Sequence, residues 1–181
     1  LAVALNALLP RDCSVRDASR VDDGFSARFS ACERVYVYAI LNDPARSALT
    51  DRFAWHVPRP IDVEAMAAAG ACLLGENDFR AFSVPAADPA VRNVRMLRVQ
   101  RIGRLVRVEI AADGFLHHMV RVIVGTLAEC GEGRRAPEQP AAILASGDRS
   151  AAGVTAPPQG LYLAGVRYPD GYDSYAEPPL F

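Results

Sequence analysis

The stretch Phe115-Leu116-His117-His118-Met119-Val120-Arg121-Val122-Ile123-Val124-Gly125 constrains the fold of this chain more than any other. Its apolar residues cover most of a helix circumference, and a helix that is apolar nearly all round is a buried one. One guanidinium sits inside the apolar block. Arginine is almost never fully buried unless paired, and an unpaired buried charge is strongly destabilising. Arg121 therefore predicts an anion at its own depth. No carboxylate within the next turn is placed to supply it, so the partner comes from another segment, a ligand, or polypeptide outside this chain. The pattern predicts a helix from Gly114 or Phe115 to about Cys130, ended by Gly131-Glu132-Gly133. Gly125 in its middle costs on the order of 1 kcal/mol against alanine, which predicts close packing there.

The rest of the chain supplies a sheet for that helix. Residues 34–41 are β-branched and aromatic and end at Asn42-Asp43-Pro44, so they read as a strand. Tyr36, Tyr38 and Ile40 share one face of it; Val35, Val37 and Ala39 share the other. Residues 13–21 read as a further strand. A helix is expected over 61–74, with Asp62 or Glu64 near its start and Gly75 as its stop. A hairpin is expected over 94–101 and 105–111, a helix from near Pro137 to Gly147, and a strand over 161–168. This order predicts an α+β fold, a mainly antiparallel sheet with helices packed on one face. The other face is then free for a ligand. The run Leu1 to Pro10 reads as the end of a helix already under way, and the chain as a piece of something longer. Its 181 residues suit one domain or a large lobe; we read 1–172 as the lobe and 173–181 as an extended tail.

Composition excludes some function classes and leaves others open. No apolar run reaches the roughly 18 residues a membrane span needs. Four widely spaced cysteines without a CxxC, three of them (Cys32, Cys72, Cys130) in apolar surroundings, read as buried free thiols in a reducing cytoplasm. Adjacent His117 and His118 point about 100° apart on a helix, so they are not the i, i+4 pair of a zinc helix. The net charge is −1, and all 20 basic residues are arginine. Charge alone neither supports nor excludes an RNA partner. Arginine recurs at every third residue from Arg92 to Arg107, a spacing that alternates faces on a strand and makes no single basic stripe.

Taken singly, the candidate residues have ordinary readings: Tyr36 a sheet tyrosine, Arg28 a solvated arginine, Leu161 a core leucine, His118 a satisfied helix histidine. Taken in order they say more. Phe25-Ser26-Ala27-Arg28-Phe29-Ser30-Ala31, Tyr36-Val37-Tyr38, Leu74-Gly75-Glu76-Asn77-Asp78-Phe79, the His117-His118-Met119-Val120-Arg121 run and Thr155-Ala156-Pro157-Pro158-Gln159-Gly160-Leu161-Tyr162-Leu163 resemble the ordered motifs of the tRNA pseudouridine synthase A (TruA) family. The resemblance runs over nearly the whole chain. It implies a pseudouridine synthase fold of ferredoxin-like type, a homodimer, no metal or organic cofactor, and isomerisation of uridines in the anticodon arm of tRNA. The target base must leave the stack.

The resemblance also implies roles. Tyr36 stacks on the base and serves in proton transfer, and Arg121 faces the catalytic aspartate carboxylate. Leu161 lines the uracil pocket, and Arg28 lies near the RNA path. From its position alone His118 could hydrogen-bond near Arg121, and we expect it among the substrate-binding residues. Val35 stands where many relatives carry a basic or polar residue, which touches RNA affinity more than chemistry. The family's Arg-Thr-Asp-Ala-Gly-Val-His type motif is absent, and Asp12, Asp17, Asp78 and Asp113 all lack its surroundings. The expectation is that the nucleophile and an N-terminal lobe lie outside this chain, which alone is inactive. The competing readings are a non-catalytic α+β module that binds RNA or protein, and a metalloprotein using His117, His118 and Cys130.

Overall fold

Strand β1 (Glu33–Asn42) is central because both its faces are apolar: Val37, Tyr38, Ala39 and Ile40 are all fully buried. In the computed structural model, which describes residues 1–84, 89–169, 172–176 and 178, β1 is flanked by β5 (Leu105–Ala112) and β6 (Leu161–Arg167). β4 (Val91–Ile102) and β3 (Gly75–Asp78) extend the sheet beyond β5, and β7 (Ser174–Tyr175) extends it beyond β6. These pairings are antiparallel; β2 (Trp55–Val57) adds a short parallel pairing to β1. The hairpin between β4 and β5 turns at Gly103, whose φ of +57° suits glycine. Tyr38 stands opposite Val108 on β5 and Leu161 on β6, while Tyr36 stands opposite Ile110 and Leu163.

One face of this sheet carries the helices. α2 (Val63–Gly70) starts at Asp62, whose carboxylate accepts the Ala65 N–H at 3.0 Å. α3 (Met119–Gly131) and α4 (Gln139–Ser146) complete the layer. Met66, Met119, Ile123, Leu127 and Ile143 pack with Tyr38, Ile40, Val108 and Ile110 into the main core. The expected α+β architecture is what folds. A smaller cluster of Ala39, Leu41 and Ala54 lies apart from it, with Leu105 and Tyr162 against it.

Residues 1–30 form a compact unit separate from 31–181. Within it α1 (Ala2–Asn6) is followed by irregular chain. The strand expected over 13–21 is absent. Only Val15 and Val21 there are β-branched, and the Val15 backbone is taken by the Asn6 amide, which donates to its carbonyl and accepts from its N–H, both at 2.7 Å. The long helix also begins later than its apolar pattern predicts. Residues 115–118 are not helical, because the His117 carbonyl accepts the Val84 N–H at 3.2 Å and its ring bonds the Val84 carbonyl. His118 then takes φ +61° as the residue before the first turn. Cys130 is buried as expected, Cys72 half-buried, and Cys32 exposed, against the reading of a buried thiol.

The packing at Gly125 is closer than its helix propensity alone implies. A Cβ there would sit 1.9 Å from the Val154 carbonyl oxygen, a backbone atom that cannot rotate away. Gly125→Ala should therefore destabilise the protein by about 1–3 kcal/mol, opposite in sign to the gain expected from helix propensity. Urea unfolding of the two proteins measures the difference, and a more stable alanine variant would refute the contact.

Candidate functional site

Arg121 is the one residue of α3 that is not buried. It lies in the first turn, and its Nε–H donates to the Ala156 carbonyl at 2.6 Å, while the Ala156 N–H returns a bond of 3.1 Å to the Arg121 carbonyl. Among the described residues no carboxylate forms an ion pair with it. The anion its position predicts is not supplied by the described part of this chain, and the terminal guanidinium nitrogens are left to take one. A planar fork of donors fits a carboxylate or phosphate in bidentate fashion.

The segment that holds Arg121 runs antiparallel along α3. The Gly153 N–H donates to the Thr126 hydroxyl at 2.9 Å, and the Val154 N–H to the Glu129 carboxylate at 3.3 Å. Glu129 is itself fixed by Arg135 at 3.0 Å. One residue beyond Ala156, the Pro157 carbonyl accepts the Tyr38 hydroxyl at 2.6 Å. Two consecutive carbonyls thus take one donor from the helix and one from the sheet. Tyr38 is fully buried, edge-on to Trp55 with ring centroids 6.4 Å apart. Burial pushes its phenol far above the ordinary tyrosine range, and the nearby Arg121 charge offsets part of that shift.

Tyr36 lies two residues earlier on the same face and is only half-buried. Its ring meets Phe115 edge-on at 5.0 Å. Leu161, opposite Tyr38, packs at the margin of the same core. His118 stacks on His117 at 3.8 Å. Partial burial, then the His117 and Arg121 charges, hold its imidazole below the ordinary value, so it is mainly neutral at neutral pH. Four of the residues named from sequence, Tyr36, Arg121, Leu161 and His118, therefore belong to the helix side of the sheet and the adjoining start of α3. Arg28 belongs to the 1–30 unit, its guanidinium 5.4 Å from the Phe29 ring centroid.

The face opposite the helices, expected to be the free one, holds none of these residues. It carries a hollow of about 620 Å³ bordered by Val35, Glu33, Arg95, Glu109, Arg167 and Tyr175. Glu33 pairs there with Arg95 at 3.2 Å and Arg167 at 3.3 Å. Val35 is buried on this side, away from Tyr36. The arginine series on the β4–β5 hairpin is largely engaged within the protein: Arg101 with the Ile61 carbonyl, Arg104 with Asp43, Arg107 with Glu109. A metal trio of His117, His118 and Cys130 is ruled out by distance, since Cys130 lies about 18 Å along α3 from its start. Among the described residues no group of three or more His, Cys, Asp or Glu side chains is placed to hold a metal, and no helix is long and apolar enough to cross a membrane.

Sequence reasoning missed Tyr38 and Thr126 as parts of this site. The signals were present in the Tyr-x-Tyr repeat, which puts two phenols on one face, and in a threonine beside the mid-helix glycine. Residues 69–169 match the family model described as tRNA pseudouridine synthase. The tRNA pseudouridine synthase A of Actinobacillus succinogenes is 45% identical over 99% of this chain and 70% of its own length. That of Geotalea uraniireducens is 43% identical over 91% of this chain and 68% of its own, and that of Escherichia coli 44% identical over 99% and 68%.

The Tyr38 environment predicts a pH response. Its folded-state value is raised above the unfolded one, so its contribution to stability is intact below about pH 10. Above that the unfolded chain releases the proton while the folded protein keeps it, and stability falls by up to about 1.4 kcal/mol per pH unit. Tyr38→Phe should flatten the alkaline slope of urea midpoints, with Tyr162, Cys72 and Cys130, all raised by burial, contributing to the slope that remains. Equal slopes in the two proteins would mean that the Tyr38 phenol is hydrated.

Proposed function

Because the chain belongs to the tRNA pseudouridine synthase family, we propose that the Arg121–Tyr36 region is one wall of an active site that converts uridine to pseudouridine in the anticodon arm of tRNA. The observation that carries this reading is a guanidinium anchored by one nitrogen, with no carboxylate partner among the described residues, beside a strand that presents a half-buried tyrosine. The missing partner is the nucleophilic aspartate, contributed by polypeptide outside these 181 residues. Beside Arg121 that carboxylate stays ionised, because a nearby opposite charge favours the charged form. It takes the ribose C1′ as the N1–C1′ bond breaks; the uracil turns, its C5 bonds C1′ as the carboxylate leaves, and the C5 proton is then lost while N1 regains one.

The residues of this chain divide the remaining work. The Tyr36 ring offers a face to the extruded base, and its hydroxyl donates or accepts a proton as the carbon–carbon bond matures. Leu161 supplies apolar surface for the uracil, and neutral His118 a hydrogen-bonding partner at the rim. Arg28 contacts the RNA backbone or fills the space the base vacates. The working unit is a homodimer in the cytoplasm, and the reaction needs no metal or organic cofactor. A binding-only module is the alternative, and for the isolated chain the two readings coincide, since it carries no aspartate in the required setting.

Anticodon-arm RNA labelled with tritium at uracil C5 separates them. The complete polypeptide that contains this sequence should release tritium, and the 181-residue chain alone should not. Release by the isolated chain would overturn the placement of the nucleophile, and none from the complete polypeptide would leave the binding module as the function. In the complete protein Arg121→Ala should lower turnover by about 100-fold or more with a much smaller loss of RNA affinity. Tyr36→Phe keeps the ring and should slow turnover by on the order of 100-fold; unchanged turnover would reduce its role to stacking.

A further inference from the structure

We propose that residues 153–157 are a clamp that aims the Arg121 guanidinium, and that Thr126 and Tyr38 are positioning residues for uridine isomerisation, acting through Arg121. The proposal rests on the role given to Arg121 above. An arginine side chain has four soft torsions, and a free one samples many directions. Here Nε is bound to the Ala156 carbonyl. Because the guanidinium is planar, that single bond sets the plane and heading of the two terminal nitrogens, which carry four further N–H groups. Where Ala156 sits therefore decides where Arg121 points.

The position of Ala156 is set from three sides. The Thr126 hydroxyl, on a fully buried residue, donates to the Val122 carbonyl at 2.8 Å and accepts the Gly153 N–H, so its orientation is defined at both ends. The Val154 carbonyl occupies the space left by the absent side chain at Gly125. On the far side the Tyr38 hydroxyl takes the Pro157 carbonyl. The N–H groups of Gly153, Val154 and Ala156 hold the first part of the segment; Pro157 has no N–H and is held by its carbonyl. Tyr38 thereby couples the strand that presents Tyr36 to the loop that aims Arg121. Its own hydroxyl is too deep to touch a base, which separates its role from that of Tyr36. Misplacement of a reacting group by about 1 Å costs on the order of 100-fold in rate, so a clamp of this kind acts on turnover rather than on RNA binding.

The test uses the complete polypeptide, tritium release and thermal melts, with Tyr38→Phe, Thr126→Val and Thr126→Ser made alone, and Tyr38→Phe also combined with Arg121→Lys. Lysine keeps the charge and lacks the Nε–H, so the loop no longer steers it. Tyr38→Phe and Thr126→Val should each lower kcat by about 10-fold or more while KM for RNA stays within about 2-fold, and Thr126→Ser should recover most of the rate. In the Arg121→Lys protein, Tyr38→Phe should cost less than about 2-fold further. Folded Tyr38→Phe with undiminished kcat overturns the clamp, as does an equal loss in both Arg121 backgrounds. If Thr126→Val fails to fold, the Tyr38→Phe cycle decides alone. Full activity in Arg121→Ala would instead overturn the role of Arg121 itself, a result separable from a failure of the clamp, in which Arg121→Ala is impaired and Tyr38→Phe is not.

Discussion

The reciprocal bond between Arg121 and Ala156 is the constraint on which the site depends. One backbone carbonyl accepts the guanidinium, and the same residue's N–H returns to the arginine's own carbonyl. A cation inside an apolar helix is costly unless it is held and paired. The first turn of α3 reduces that cost by leaving Arg121 at the margin of the core and satisfying one of its nitrogens. What stays unsatisfied is charge, and this links a packing problem to chemistry. A guanidinium with geometry fixed and valence open is suited to a carboxylate that must remain ionised. The helix end adds to the effect, since the positive end of its dipole also favours an anion.

The sheet and the helix layer answer different needs. The sheet brings a buried and a half-buried tyrosine to one side, two residues apart, by strand alternation alone. The same alternation sends Val35 to the opposite face, where Glu33 is shared between Arg95 and Arg167. Much of the arginine content of the hairpin is likewise committed to partners within the fold. A net charge near zero is therefore compatible with an RNA substrate, because recognition is a matter of which few cations are left uncommitted, not of how many there are.

Much of this was legible in the sequence. Periodicity located β1, the hairpin, the helices and β6, and the mid-helix glycine at 125 announced a close approach that the Val154 carbonyl makes. Arg121 stood out because a charge in an apolar run is a contradiction that structure must resolve. Other features were not legible, for physical reasons. The apolar pattern of 115–118 does not encode φ, so neither the left-handed turn at His118 nor the pairing of His117 with Val84 that precedes it can be read there. Alternation tells which face Tyr38 occupies but not its depth, and depth is what separates it from Tyr36. Residues 13–21 looked extended, yet at Val15 an asparagine side chain takes both backbone groups that a neighbouring strand would have paired. The tie between Gly153 and Thr126 joins positions too far apart in sequence for any local pattern to register.

Tyr38 touches the only tryptophan in the chain. An indole packed edge-on against the phenol that pins the loop is an intrinsic optical reporter, because its emission responds to the polarity and packing of its surroundings. Loss of the Tyr38–Pro157 hydrogen bond frees the phenol to shift against that indole, so a change in the loop can be read in the ultraviolet emission of the native protein without any attached dye.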